Sequence, residues 1–295
     1  MLGVVNLDKP VGPTSHDMVG LLRRLTGTRR IGHAGTLDPL ASGVLPILVG
    51  PATRFSEELT GGSKRYEAVV RLGARSATDD AEAPIEPGNA PLPADDRVAD
   101  ALRAFVGTFE QRPPAFSARK AGGLTAHRAA RAGRQIEIPA RLVTVDSIDL
   151  LGLERGGDVL DVTVDVRCGA GTYIRSIARD LGESLGCGGY LASLRRTEAA
   201  GLRIADAIEP GRLADLADEG RLAEAMLPVG GLLRLPRIEL APLEAVAFRH
   251  GSAQSVPGPA AGRVAVFGGD ELLGIGSVTG GLLQPEKVLP LEAGS

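Results

Sequence analysis

Residues 159–185 read VLDVTVDVRCGAGTYIRSIARDLGESL. Leu160, Val162, Val164 and Val166 alternate with Asp161, Thr163 and Asp165. That period of two predicts a strand with one buried and one wet face. After Gly169-Ala170-Gly171-Thr172-Tyr173 the period changes. Ile174, Ile177, Ala178, Leu181 and Leu185 fall on one helical stripe. The junction is therefore strand, glycine turn, amphipathic helix. Outward from it, residues 142–151 and 65–72 predict two more strands. Met18, Leu21, Leu22 and Leu25 predict a helix, with Thr14 or Ser15 as its cap. Val98, Ala101, Leu102, Phe105 and Val106 predict another. Residues 81–95, rich in proline and acid, predict a surface loop. The elements mix without a regular βαβ cadence, so the expected class is α+β.

Downstream the texture shifts. From about Leu232, short apolar runs at 263–267, 272–278 and 287–289 are separated by glycine turns such as Gly268-Gly269-Asp270. This predicts a small β-rich domain over 232–295, joined by a helical, acidic stretch at 206–226. Pro228 and Gly230-Gly231 mark the boundary of a first domain at 1–228.

A chain of 295 residues accommodates two domains. Its two cysteines, Cys168 and Cys187, form no CxxC motif, which excludes a disulfide framework or a cysteine-rich zinc site. The N-terminus lacks a signal-peptide pattern, and no apolar run approaches the ~20 residues needed to span a bilayer. A cytoplasmic location is expected. The net charge of −3 argues by itself against nucleic-acid binding. It is unevenly placed, however. Residues 1–78 sum to +4, 79–109 to −5, 110–205 to +3 and 206–295 to −5. Within 111–141, seven basic residues face only Glu137. The expected basic face comprises 23–30, 111–141 and 175–196, with the acid turned elsewhere.

Three segments are candidates for chemistry. In RRIGHAGTLDPLASGVLP, residues 29–46, three glycines and two prolines surround His33 and Asp38. Asp38 suits a turn as well as a reactive carboxylate held by backbone. His33 and Asp38 have no third ligand nearby, so no metal site is expected. The glycine run at 169–171 is either a tight turn or an anion nest. Residues 111–134, QRPPAFSARKAGGLTAHRAARAGR, predict a basic loop leading into a short helix. They suit a solvated charged face, or RNA contact, with Phe116 set among Arg112, Arg119 and Lys120.

These segments together resemble the TruB family of tRNA pseudouridine synthases. VNLDKPVGPTS at residues 5–15 resembles the family's N-terminal motif, and GHAGTLDPLASGVLP at 32–46 its catalytic motif. Lys64-Arg65-Tyr66 resembles the K-x-Y element, and Pro113-Pro114 through Ser117-Ala118-Arg119-Lys120 the PPxxSAxK block. Residues 169–175, Asp180-Leu181-Gly182 and Leu194-Arg195-Arg196-Thr197 resemble the GTYIR…DLG…LRRT region. The match covers 3–205 well. The tail is similar, more weakly, to a PUA-like RNA-binding domain.

The resemblance implies a mixed or antiparallel catalytic sheet and isomerisation of uridine 55 in the tRNA T-loop, with no cofactor. Asp38 is implied to be the essential carboxylate, attacking covalently or taking a sugar proton. Arg175 is implied to pair with it and fix its rotamer. Tyr66 is implied to stack on the uracil, with Tyr173 beside it and Leu194 lining the pocket. His33 is implied to fill the space left by the flipped base. Lys9 and Pro10 are implied to support the floor. The basic insertion, with Arg112, Arg119, Lys120, His127 and Arg128, is implied to close over the RNA. His127 stands where the family often has tyrosine. The expected partner is tRNA, with no membrane, no obligatory protein partner and a monomeric chain. A tRNA-binding folding chaperone and a guide-dependent synthase acting on other RNA are the alternatives. Removal of 232–295 is expected to weaken RNA affinity and keep some activity.

Overall fold

The computed structural model describes residues 1–114, 139–256, 258 and 261–290, with the backbone alone of 120–121 and 124–125. In chain order the main sheet begins with β1 (Gly3–Lys9), β2 (Ile31–His33), β3 (Ala41–Val49) and β4 (Lys64–Leu72). β5 (Ala74–Ser76) and β6 (Ile85–Pro87) form a separate pair. β7 (Gly107–Gln111) rejoins the main sheet, and β8 (Lys120–Ala121) pairs with β9 (Leu124–Thr125). The main sheet is completed by β10 (Arg141–Gly156), β11 (Val159–Cys168), β12 (Gly189–Ala199) and β13 (Leu202–Arg203). Its order is β1-β3-β12-β4-β11-β10-β7, with β2 on β3 and β13 on β12. A second sheet holds β14 (Arg237–Glu239), β15 (Gln254–Ser255), β16 (Gly262–Gly268), β17 (Glu271–Thr279) and β18 (Leu282–Val288). The described helices are α1 (Ser15–Thr26), α2 (Ser56–Thr60), α3 (Asp95–Arg103), α4 (Ile174–Ser184), α5 (Pro210–Asp218) and α6 (Pro242–Arg249). None is long and apolar enough to cross a membrane.

The α+β expectation agrees with this architecture, and the quoted junction is β11, turn and α4. Its alternating valines pair along β4 from Leu160↔Leu72 to Cys168↔Lys64. The helical stripe of α4, Ile174, Ile177, Ala178 and Leu181, is buried in the main core. Two expectations are corrected. α3 ends at Arg103, and Phe105 turns back to meet Phe109 edge-on, with ring centroids 6.0 Å apart. Residues 206–226 are more than a bridge. Ile208 and Leu227 form β-bridges with Leu7 and Val4, so the segment straps the edge of the main sheet.

β12 joins the two halves of the main sheet. It runs antiparallel to β4 and parallel to β3. The parallel contact brings Gly43 against the backbone of Arg196, where a Cβ would meet the Arg196 carbonyl at 2.2 Å. At its φ of +103°, only glycine is comfortable.

The C-terminal sheet shares a core with the main one. Val4, Val44, Leu48 and Phe55 cluster with Ala265, Phe267, Ile275 and Leu289. At the same seam, Glu58 of α2 accepts from Arg263 at 2.7 Å and Lys287 at 2.9 Å. Burial pushes the Glu58 carboxyl up, but Arg263 and Lys287 hold it below the usual value. Removing 232–295 uncovers this apolar face, so the expectation that the shortened chain keeps some activity is revised. Deletion is predicted to yield insoluble protein. Phe55→Ala, at a fully buried position, is predicted to cost about 3–5 kcal/mol in urea unfolding.

Candidate active site

Asp38 lies in the loop between β2 and β3, and its neighbours are tied down on several sides. Thr14 is the N-cap of α1, in a capping box with Asp17. Ser15 is thereby freed for another task. Its Oγ accepts from the Leu37 amide at 2.8 Å and donates to the Leu37 carbonyl at 2.9 Å. The Pro39 carbonyl accepts from Gly12 N, and Leu40 N donates to Glu82 Oε1 at 3.0 Å. The loop backbone is thus fixed by α1 and by the segment after β5, while the Asp38 side chain stays 41% exposed. It is a presented carboxylate, held by main chain, as the glycine- and proline-rich sequence anticipated.

Arg175, in the first turn of α4, is buried between two carboxylates. Its Nη2 lies 3.0 Å from Asp38 Oδ2, and its Nη1 lies 3.0 Å from Asp80 Oδ2. Asp80 is fully buried, and its Oδ1 also accepts from Thr78 Oγ1 and the Glu82 amide. Asp79 next to it pairs with Arg179 at 2.9 Å. These acids open the acidic block expected to point away from the basic face. They point inward instead, because buried guanidinium groups require carboxylate partners. Burial pushes Asp79 and Glu82 above the usual carboxylate range; Arg179 opposes this for Asp79.

Behind Asp38 lies a cavity of about 330 Å³, lined among others by Tyr66, Tyr173, Arg175, Leu194, Lys64 and Arg196. Four residues singled out in the sequence therefore meet Asp38 in one site. Tyr66 is buried on β4, and Leu194 reaches the cavity from β12 between Ala41 and Ala68. Burial raises the Tyr66 phenol, and the nearby Arg196 charge acts against this. Gln111 is a positioning group that the sequence did not reveal. It is 1% exposed, accepts from Tyr173 N at 2.8 Å and donates to Tyr173 O at 3.0 Å, as a neighbouring strand would. Its cross-strand partner Arg141 lies over the Tyr173 ring at 5.5 Å and donates to the Gly171 carbonyl.

The floor is cationic. Lys9 is fully buried and donates to the carbonyls of Ala41 at 2.6 Å and Pro10 at 2.8 Å. Lys64 donates to the carbonyls of Thr60 and Gly62, and Arg196 to those of Val44 and Gly35. Burial pulls Lys9 and Lys64 down to about 8; Asp38 and Glu82 oppose this for Lys9, while Arg196 adds to it for Lys64.

Other expected residues fall elsewhere. His33 ends β2, half-buried, with Nδ1 enclosed and unpartnered among the described residues. Burial favours its neutral form, and it does not line the cavity. Arg112 is exposed, and its carbonyl accepts from Ser176 Oγ and Arg179 Nη2. Arg119, His127 and Arg128, the side chain of Lys120, and the expected loop and short helix lie outside the described residues. Arg23, Arg24, Arg29 and Arg30 are exposed as expected. Arg175 and Arg196, assigned to that same surface, are buried in the cavity wall.

Residues 23–174 match the family model "TruB family pseudouridylate synthase (N terminal domain)", and 175–234 match "tRNA pseudouridylate synthase B C-terminal domain". The chain belongs to the TruB family. It is 43% identical to tRNA pseudouridine synthase B of Acaryochloris marina, over 99% of this chain and 100% of that protein. It is 41% identical to the Ralstonia nicotianae protein of the same name, over 98% and 94%. Among solved structures it is similar to a chain of an H/ACA ribonucleoprotein bound to a substrate RNA containing 2′-deoxyuridine. The TM-score is 0.75 at 28% identity, covering 98% of this chain and 86% of that one.

Two outcomes follow from the TruB site. Asp80→Asn takes one carboxylate from a buried guanidinium and is predicted to cost about 3–5 kcal/mol in urea unfolding. Lys9 and Lys64 bind protons less readily folded than at their ordinary 10.5. The unfolded chain therefore holds more protons than the native one above about pH 8, and stability rises with pH from there. Above pH 9.0, Cys168 opposes the rise, because burial pushes its folded thiol up to about 11. Urea midpoints at pH 7.5, 8.5 and 9.5 should show an increase over both steps, smaller over the last one than the lysines alone would give. Lys9→Met should reduce it.

Proposed function

We propose that this chain converts uridine 55 in the T-loop of tRNA to pseudouridine, with Asp38 as the essential carboxylate. The observation that carries the proposal is the exposed Asp38 side chain at a cavity of about 330 Å³, ion-paired with an Arg175 that is itself anchored by buried Asp80. A base stacked in RNA cannot reach such a carboxylate, so the target nucleotide flips out, which costs a few kcal/mol. The N-glycosidic bond breaks, the uracil turns, C5 bonds to C1′ and the C5 proton leaves. Asp38 either bonds to the ribose or takes a sugar proton, and Arg175 holds it ionised and oriented for both. Tyr66 stacks on the uracil, Tyr173 packs beside it and Leu194 closes the apolar wall. His33, its neutral form favoured by burial and its Nδ1 unpartnered among the described residues, fills the gap left in the T-loop.

The tRNA lies across the arginines at 23–30 and the insertion at 111–141, where Arg112, Arg119, Lys120, His127 and Arg128 meet phosphate. The catalytic unit spans 1–228, and the PUA-like unit 232–295. The chain works in the cytoplasm as a monomer, without a cofactor or protein partner. The likeness to full-length tRNA pseudouridine synthases B at 41–43% identity, against 28% for the ribonucleoprotein chain, supports a standalone enzyme acting on tRNA.

The test is to map pseudouridine in tRNA incubated with the purified chain, beside Asp38→Asn. Wild type should modify position 55. The variant should lose modification and retain tRNA affinity within a few-fold. Retained modification would remove Asp38 from its role, and an inactive wild type would favour a chaperone or a guide-dependent synthase.

A further inference from the structure

Lys64 and Arg196 are buried cations whose hydrogen-bond partners among the described residues are main-chain carbonyls, with no carboxylate. They converge beside Gly35. A Cβ placed there would lie 3.4 Å from both Arg196 Nη1 and Lys64 Cε. Both line the cavity. Two adjacent, uncompensated charges in a buried wall are costly unless an anion arrives between them. Carbonyl oxygens alone leave that demand unmet.

The chemistry proposed above, on which this inference rests, delivers such an anion. When C1′–N1 breaks, its electron pair stays with the uracil, which becomes a monoanion delocalised over N1, O2 and O4. Asp38 is neutralised at the same moment, either by bonding to C1′ or by taking the 2′ proton. The pair later re-forms a bond to C1′ through C5, and the C5 hydrogen leaves as a proton. Negative charge thus passes from Asp38 to the base and back. Asp38 sits against Arg175. The base, stacked on Tyr66, lies in the same cavity as Lys64 and Arg196, and the Arg196 charge is close to the Tyr66 phenol.

We propose that Lys64 and Arg196 stabilise the detached uracil anion, as Arg175 holds the charge on Asp38 before cleavage. A fixed cation aimed at charge that develops only during reaction lowers the barrier without tightening substrate binding.

The test varies the stability of the leaving anion. Fluorine at C5 lets the detached ring carry its own charge better. Single-turnover consumption of the N-glycoside is measured on T-loop hairpins with uridine or 5-fluorouridine at the target. Lys64→Gln should slow the uridine reaction about 100-fold or more, and the 5-fluorouridine reaction less than about tenfold. Lys64→Arg, which keeps the charge, should stay within about tenfold of wild type on both. Hairpin affinity should change little in either variant. Equal losses on the two substrates would overturn the inference. Wild type inactive on both would instead refute the underlying activity.

A second measurement needs no Lys64 variant. Asp38→Asn, in which Arg175 keeps Asp80 as its partner, is titrated with hairpins carrying uridine or 6-hydroxyuridine, whose ring is anionic at neutral pH. At least about tenfold tighter binding of the anionic ring is expected, and equal affinity would overturn the proposal.

Discussion

A guanidinium cannot be buried alone, and Arg175 is 6% exposed. Its need for two carboxylates organises the centre of this protein. One partner, Asp80, is sealed in by Thr78 and the Glu82 amide. The other, Asp38, stands partly in solvent on a loop pinned by Ser15 and Gly12. The ion pair therefore has a fixed end and an open end. The fixed end sets the position of α4 relative to the segment after β5. The open end is a carboxylate whose direction is set before any substrate arrives, the pre-organisation that catalytic groups require.

Charge is sorted by depth as well as by segment. Arg23, Arg24, Arg29 and Arg30 are exposed and can meet phosphate. Arg175, Arg196 and Lys64 are inside, in the cavity wall. The acids divide likewise. Asp79 and Asp80 serve the interior, while Glu82 and most of the block that follows face water. A net charge of −3 is thus compatible with a cationic pocket and a basic rim.

Much of this was legible in the amino-acid order. Alternation at Leu160–Val162–Val164–Val166 and the stripe from Ile174 to Leu181 carry their own periods, so β11 and α4 could be read directly. Proline and glycine on both sides marked Asp38 as a turn residue or a backbone-held carboxylate, and only the resemblance of residues 32–46 to the TruB catalytic motif singled it out. What could not be read was long-range. β12 is buried on both faces over part of its length and lacks clean alternation, so the strand joining the two halves of the sheet went unnoticed. Asp80 looked like one acid among many in a loop. Only the fold brings it to Arg175, 95 residues away. Gln111 is uncharged and carries no periodic signal, yet it grips Tyr173 across 62 residues. Likewise, apolar runs in the tail marked strands, but not that their sheet shares its core with Phe55.

The strap over β1 bears on how the chain assembles. Val4 exchanges hydrogen bonds with Leu227, and Asp8 takes the Ile208 carbonyl, so the first strand made closes against segments made about 200 residues later. At roughly 5–20 residues per second, β1 emerges from the ribosome ten seconds or more before these partners exist. Contacts of such separation demand loop closure before they return any stabilisation, which slows folding. The nascent N-terminal half holds apolar strands without their edge cover throughout synthesis. Its proper folding is thus a late, concerted event, completed only when the far end of the chain is free to return to its beginning.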